Sequence, residues 1–172
     1  MPTPAYLSME GTTQGNITSG AFTADSVGNI YVEGHEDEIL VQAVNHQVMV
    51  PTDPQSGQPA GQRVHRPFTF TCAYNKAIPL MYNALASGEM LTKVEIKWYR
   101  TSTEGKQEHF FTTPLTDVVI VNITAILPHA QDASNADFTQ IVNTELAYRM
   151  IEWTHDKAGT SGSDDWRAPL EA

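Results

Sequence analysis

From Val94 to Thr113 the chain reads as a long β-hairpin, and this feature limits the fold more than any other. Val94, Ile96 and Trp98 alternate with Glu95, Lys97 and Tyr99, the period of a strand buried on one side. Thr103-Glu104-Gly105-Lys106 supplies a polar turn with one glycine. Gln107 to Thr113 forms the returning strand. A chain built around such a hairpin belongs among the antiparallel β folds.

The flanking segments extend the same reading. Ala5 to Met9 predicts a first strand, and Thr12 to Asp25, rich in Thr, Gly, Ser and Asn, an irregular loop. Asn29 to Gly34 reads as a short strand or turn. Glu38 to Val50 predicts a long strand whose broken alternation calls for a bulge or a change of face. Phe68 to Tyr74 is a strand with Phe68, Phe70, Cys72 and Tyr74 on its apolar side. Thr116 to Leu127 is a further strand, apolar on both sides: Val119, Val121 and Ile123 on one, Val118 and Ile120 on the other. Phe138 to Thr154 alternates without interruption and predicts one very long strand. Such a strand bends around a barrel or runs on into a second sheet.

One helix is expected, starting near Ile78. Pro79 fits only a first turn, Ile78, Met81 and Leu85 share a face, and Gly88 is a natural stop. Six to eight strands and one helix in 172 residues predict a single domain: a small antiparallel β-barrel made of two sheets, with one flanking helix and a long extended loop. A sandwich is the alternative architecture. The loop is Pro51 to Arg66, with three prolines and two glycines. Ordered loops of that length in compact domains are commonly functional. The tail carries Trp166 and Leu170, which are expected to dock.

Composition excludes several functions. The net charge is −10 and the pI about 4.8. Binding a phosphate backbone needs clustered Lys and Arg, which the sequence lacks, so nucleic acid and anionic membrane surfaces are excluded as partners. No window is apolar enough for a transmembrane helix, and the N-terminal stretch lacks the basic and apolar regions of a Sec signal peptide. Synthesis in the cytoplasm, with any export by another route, is expected. Cys72 is the sole cysteine and reads as a buried structural thiol.

Catalytic motifs are near-misses. His35-Glu36-Asp37-Glu38 has Ile39 where the zinc motif H-E-x-x-H needs histidine, and it reads as a charged strand entry. Arg100 and Gln107 occupy positions that a phosphate loop ending in Gly105-Lys106 would fill with glycine and a hydroxyl residue. Gly159 to Ser163 lacks the last glycine of a nucleophile elbow. Neither Cys72 nor His46, His65, His109, His129 and His155 has a zinc-ligand spacing. No catalytic residue, metal site or cofactor is expected, and the chain is read as not an enzyme. A small hydrolase fails for want of a nucleophile and base. A monomeric β-barrel module binding a small polar ligand stands as the alternative function.

Five runs carry a resemblance: GAFTADSVGNIYVEGHEDE (Gly20 to Glu38), VPTDPQSGQPAGQRVHRPF (Val50 to Phe68), NKAIPLMYNALASGE (Asn75 to Glu89), the hairpin, and AGTSGSDDWRAPLEA (Ala158 to Ala172). In this order and spacing the sequence resembles the haemolysin-coregulated protein (Hcp) family, the tube subunits of bacterial type VI secretion systems. That resemblance implies a β-barrel that closes into hexameric rings. The rings stack into a tube inside a contractile sheath and are capped by a spike of the valine-glycine repeat family. Sheath contraction expels the tube into the extracellular space or a target cell, and small effector proteins ride in the channel. On this reading the loop carrying Thr52, Asp53, Gln55, Ser56, Gln58, Gln62 and Arg63 is the arm that reaches the next ring. Ala43, Asn45 and Gln47 are candidates for the channel lining and cargo contact. Six chains of −10 give a ring near −60, so stacking is expected to strengthen as salt screens the repulsion.

Overall fold

A computed structural model describes residues 3–166. Its strands are β1 (Ala5–Gly11), β2 (Gly15–Asn16), β3 (Ile39–Asn45), β4 (Val48–Met49), β5 (Val64–His65), β6 (Phe68–Ala73), β7 (Leu91–Thr101), β8 (Gln107–Ile126), β9 (Ile141–Ala147), β10 (Met150–His155) and β11 (Thr160–Asp165). Helix α1 is a four-residue turn, Ala24–Val27, and α2 spans Ile78–Ser87. The main sheet runs β11-β10-β8-β7-β1-β3-β6-β9, and β9 also pairs with β8. That last pairing closes β1, β3, β6, β9, β8 and β7 into an antiparallel barrel, which removes its open edges. The β10–β11 hairpin hangs from the first half of β8.

The barrel interior holds the core: Leu7, Met9, Ile39, Phe68, Phe70, Cys72, Leu91, Val94, Ile96, Leu115 and Leu146 are buried. Each large side chain taken from water contributes about 1.5–3 kcal/mol. Helix α2 packs onto β8 and adds Ile78, Met81 and Ala84 to the same cluster. Its start at Ile78 and the left-handed Gly88 (φ 70°, ψ 24°) at its end match the expected stops. Gly88 is the residue that takes this conformation without a Cβ penalty.

Several expectations need correction. The stretch 138–154 is two strands, β9 and β10, broken at Tyr148–Arg149. Conversely, Gln107–Thr113 and Thr116–Leu127 merge into the 20-residue β8. Pro114 lies inside it, opposite Glu95 of β7, and the β8–β10 pairing skips positions 113 and 114. The missing proline N–H therefore faces a gap in the ladder. The strand is not apolar on both faces in the expected way. A register shift between Ile120 and Asn122 makes Val121 an exposed bulge and returns Ile123 to the core side beside Val118 and Ile120.

The region 38–50 carries the expected irregularity between Val41 and Ala43, but it is also cut at His46–Gln47, where the chain leaves the barrel. Tyr74 lies beyond the end of β6 and is exposed, so it does not join Phe68, Phe70 and Cys72. Of the two readings for Asn29–Gly34, strand or turn, the turn holds: a 3-10 helix over Gly28–Ile30 is followed by a turn at 33–34. The eleven strand segments exceed the six to eight expected, because short pairings and corner breaks leave no mark in periodicity.

Candidate assembly surfaces: the arm and the outer face

After His46 the chain leaves the barrel, runs out through β4, turns, and returns through β5. Residues 50–63 between them form the arm. Its backbone meets its own needs: Asp53 N–H donates to the Gln58 carbonyl at 2.8 Å, Gly57 N–H to the Asp53 carbonyl at 2.8 Å, and Ala60 N–H to the Pro51 carbonyl at 2.7 Å. Asp53 Oδ1 accepts from the Gln55 N–H at 2.9 Å. These bonds fold the arm's main chain on itself and leave the side chains facing outward. Thr52, Asp53, Gln55, Ser56, Gln58 and Gln62 are all exposed. Val48, Val50 and Val64 expose apolar area along the same ribbon.

Arg63 differs from the other arm residues. It folds back onto its own chain, Nε 2.5 Å from Asp164 Oδ2 and Nη2 2.9 Å from Oδ1, with a further bond from Nη2 to the Asp165 carbonyl at 3.0 Å. The Arg63 hydrogen bond above all, followed by the one from His65, holds the Asp164 carboxyl below its usual range against the opposing effect of burial. His65 Nε2 is 2.7 Å from the same oxygen, and its Nδ1 is 2.7 Å from the Tyr148 hydroxyl. The tail expectation holds for Trp166: its Nε1 donates to the Tyr148 carbonyl and its ring lies against His65, centroids 5.6 Å apart. Leu170 lies outside the described residues.

The candidate cargo residues separate. Ala43 and Asn45 sit on the outside of the barrel wall, where the pairings align two rows: Ala43, Thr71, Asn143, Thr124 and Asn45, Thr69, Glu145, Asn122. The alternate residues Phe70, Cys72, Val142, Thr144 and Leu146 are buried, so these rows face away from the core. Thr71 donates to Asn143 Oδ1 at 2.5 Å. The surface is small and neutral apart from Glu145. Gln47 lies beyond β3 at the root of the arm, where its carbonyl accepts from the Arg66 N–H at 2.9 Å. The alternation of Thr69 and Thr71 with Phe68, Phe70 and Cys72 marks their outward face in the sequence. Nothing local marks Asn122 or Thr124, because the bulge at Val121 sets their phase.

Other singled-out residues take structural places. His35 stacks on Tyr6 at 3.7 Å, with Nδ1 3.3 Å from Glu38 Oε1. Cys72 is fully buried, and burial pushes its thiol up to about 12. Among the described residues no group of three or more His, Cys, Asp or Glu side chains is placed to hold a metal ion.

A family model described as "Type VI secretion system effector, Hcp" matches residues 6–155. The chain belongs to the Hcp family. It is similar to the "Major exported protein" of Pseudomonas aeruginosa, 59% identical over 170 residues that make up 99% of each chain. Its fold matches a crystal structure of an Hcp protein with a TM-score of 0.91 at 56% identity, covering 95% of this chain and 99% of the other. The secreted protein Hcp3 from Pseudomonas aeruginosa matches with a TM-score of 0.81 at 51% identity, covering 95% and 100%. As an Hcp-family chain it places the barrel, the helix and the arm in one continuous frame.

Proposed function

We propose that this chain is a tube subunit of a type VI secretion system. Six copies close into a ring, and rings stack with the arm 52–63 of each subunit reaching the next. The tube forms in the cytoplasm inside a contractile sheath, carries a valine-glycine repeat spike at its end, and is expelled without a Sec signal. The outer face of β3, β6, β9 and the second half of β8 lines the channel, where Ala43 and Asn45, with Thr69, Thr71 and Asn143, contact effector proteins. The role is structural rather than enzymatic.

The observation that carries this reading is the arm. Its backbone hydrogen bonds close internally while its neutral amide and hydroxyl side chains face outward. That construction suits repeated contact between like-charged copies, because amide hydrogen bonds need no ion pairing. Family membership and near full-length identity to an exported relative support it.

The test is the mass in solution, by light scattering on a sizing column. Six times 18.9 kDa, about 113 kDa, is expected. A stable 18.9 kDa monomer at high concentration would overturn the ring. Deleting Gln55 to Gly61 is expected to leave rings intact and abolish stacking, as seen by electron microscopy. Tubes of normal length from the deletion variant would remove the arm from the interface. Exchanging Asn45 for a bulky charged residue should leave rings intact and lose cargo in co-purification. Equal cargo recovery would overturn the assignment of the channel face.

A further inference from the structure

At the root of the arm two imidazoles meet on one phenol. His46 Nε2 lies 2.6 Å and His65 Nδ1 2.7 Å from the Tyr148 hydroxyl, and His65 Nε2 lies 2.7 Å from Asp164 Oδ2. The direction of this chain is set by its end. A carboxylate only accepts, so His65 carries a proton on Nε2. When His65 is neutral its Nδ1 is an acceptor, and the Tyr148 hydroxyl donates to it. The phenol oxygen then accepts from His46 Nε2–H. Donation runs from His46 to Tyr148 to His65 to Asp164, and the neutral chain has one arrangement of protons.

One added proton is absorbed. Placed on His65 Nδ1, it makes that nitrogen a donor; His46 moves its own proton from Nε2 to Nδ1, and the hydroxyl turns to donate to the freed Nε2. All three contacts survive. A second added proton is not absorbed. Both nitrogens facing the phenol then carry hydrogen, the hydroxyl hydrogen loses its acceptor in the chain, and two cations face each other across one oxygen.

The surrounding carboxylates are largely taken up by arginines. Arg63 pairs with Asp164 (2.5 Å), and Arg149 lies 3.1 Å from Asp165 and 3.4 Å from Asp117. Arg66, next to His65, directs Nη2 to the Met49 sulfur at 3.9 Å. These pairs hold two arginines and three carboxylates, so one negative charge is left to offset a first imidazolium and none to offset a second. Burial first, and the neighbouring His65 second, lower the pKa of His46 in the same sense.

The placement gives this chemistry a mechanical effect. His46 follows β3 on the outgoing leg of the arm, and His65 ends the returning leg in β5. Both legs are tied to Tyr148 at the corner of the barrel wall and, through Asp164, to the terminal hairpin. A cavity of about 160 Å³ lined by His65, Arg66, Pro67, Ala147, Tyr148 and Trp166 adjoins the chain and leaves room for the rings to part.

We propose that His46, Tyr148, His65 and Asp164 form a proton-operated latch, which holds the arm's root on the barrel with up to one added proton and releases it when both histidines are charged. The latch rests on contacts within one chain and does not depend on the arm's role in stacking.

The test is amide hydrogen exchange on the full-length protein at about pH 7.5 and about pH 5, corrected for intrinsic rates. Protection of residues 47–66 is expected to fall by at least ~10-fold at the lower pH while β1 and β7 stay unchanged. His46→Gln donates to Tyr148 from an amide that does not titrate, so its arm stays protected at both values. Equal protection of the wild-type arm at both pH values would overturn the latch, as would a drop that persists in His46→Gln. If that variant does not fold, nitrogen-15 imidazole spectra of the wild type decide. A neutral Nε2–H tautomer on both rings at the higher pH, with both rings charging as the arm amides shift, supports the latch. An Nδ1–H tautomer on His65, or arm amides that move before the second ring charges, overturns it.

Discussion

Arg149 reaches Asp117 across the corner at which β8 changes partners, with Nη1 3.4 Å from Oδ2. Both sides of the ribbon break there. Met150 pairs with Thr116 and Ala147 with Val119, so Tyr148–Arg149 lies opposite Asp117–Val118. Asp117 takes a left-handed backbone, φ 53°, alone among the described non-glycine residues. Aspartate tolerates this region better than most side chains. Asp117→Ala is expected to lower stability by about 1 kcal/mol, and Asp117→Val by more, since a β-branched side chain fits this region poorly. Urea unfolding followed by tryptophan fluorescence measures both. Equal midpoints for the three proteins would mean that the corner carries no backbone strain.

Acid stability should fall in two windows. Burial lowers the pKa of His46 in the folded chain, so on acidification the unfolded chain binds the proton first, from about pH 6.5 downward. The stability lost there is restored as pH rises. Asp164 is held low chiefly by Arg63, and its contribution is present above about pH 4 and lost as pH falls through its folded value. Thermal melts of wild type and Asp164→Asn should therefore differ at neutral pH and converge only as pH falls below the lowered folded value of Asp164. A gap that stays constant would remove the Asp164 charge as its cause.

Cys72 is buried in the barrel with its thiol raised to about 12. The thiolate is the reactive form. In native buffer at pH 8 an aromatic disulfide reagent should titrate no thiol over an hour, and one per chain after guanidinium is added. A native-state reaction would show that the β3–β6 wall opens readily.

A ring of six such chains carries a charge near −60, six times −10. Like-charged rings repel across their stacking faces, and salt shortens the reach of that repulsion to about 10 Å at 0.1 M. Sedimentation should show longer tubes as salt is raised from low concentration. The opposite trend would assign stacking to ion pairs instead of to neutral arm contacts.

Local signals accounted for α2 and for β7. Pro79 and Gly88 fix the helix ends, and the alternation of Val94, Ile96 and Trp98 survives folding because one wall of the barrel faces the core throughout. The break at Tyr148–Arg149 is different. The alternation of Val142, Thr144, Leu146 and Tyr148 continues through it, and the cause is a change of position along β8, a tertiary event. Pro114 misleads for the same reason, since only the pairing shows that its missing donor faces a gap. The arm was legible as a proline- and glycine-rich loop. The inward fold of Arg63 and the meeting of His46 with Tyr148, 102 positions apart, were not. Those contacts depend on where two distant corners arrive.

Strand β8 has a further consequence. Its first half is held by β7 on one side and by β10 on the other, and its second half closes the barrel against β9. The seam of the barrel and the anchor of the terminal hairpin are thus one continuous piece of backbone. Parting either pairing strains the other, so the wall has no stage at which it is half unzipped. The barrel wall and the terminal hairpin are therefore expected to melt together, in one step.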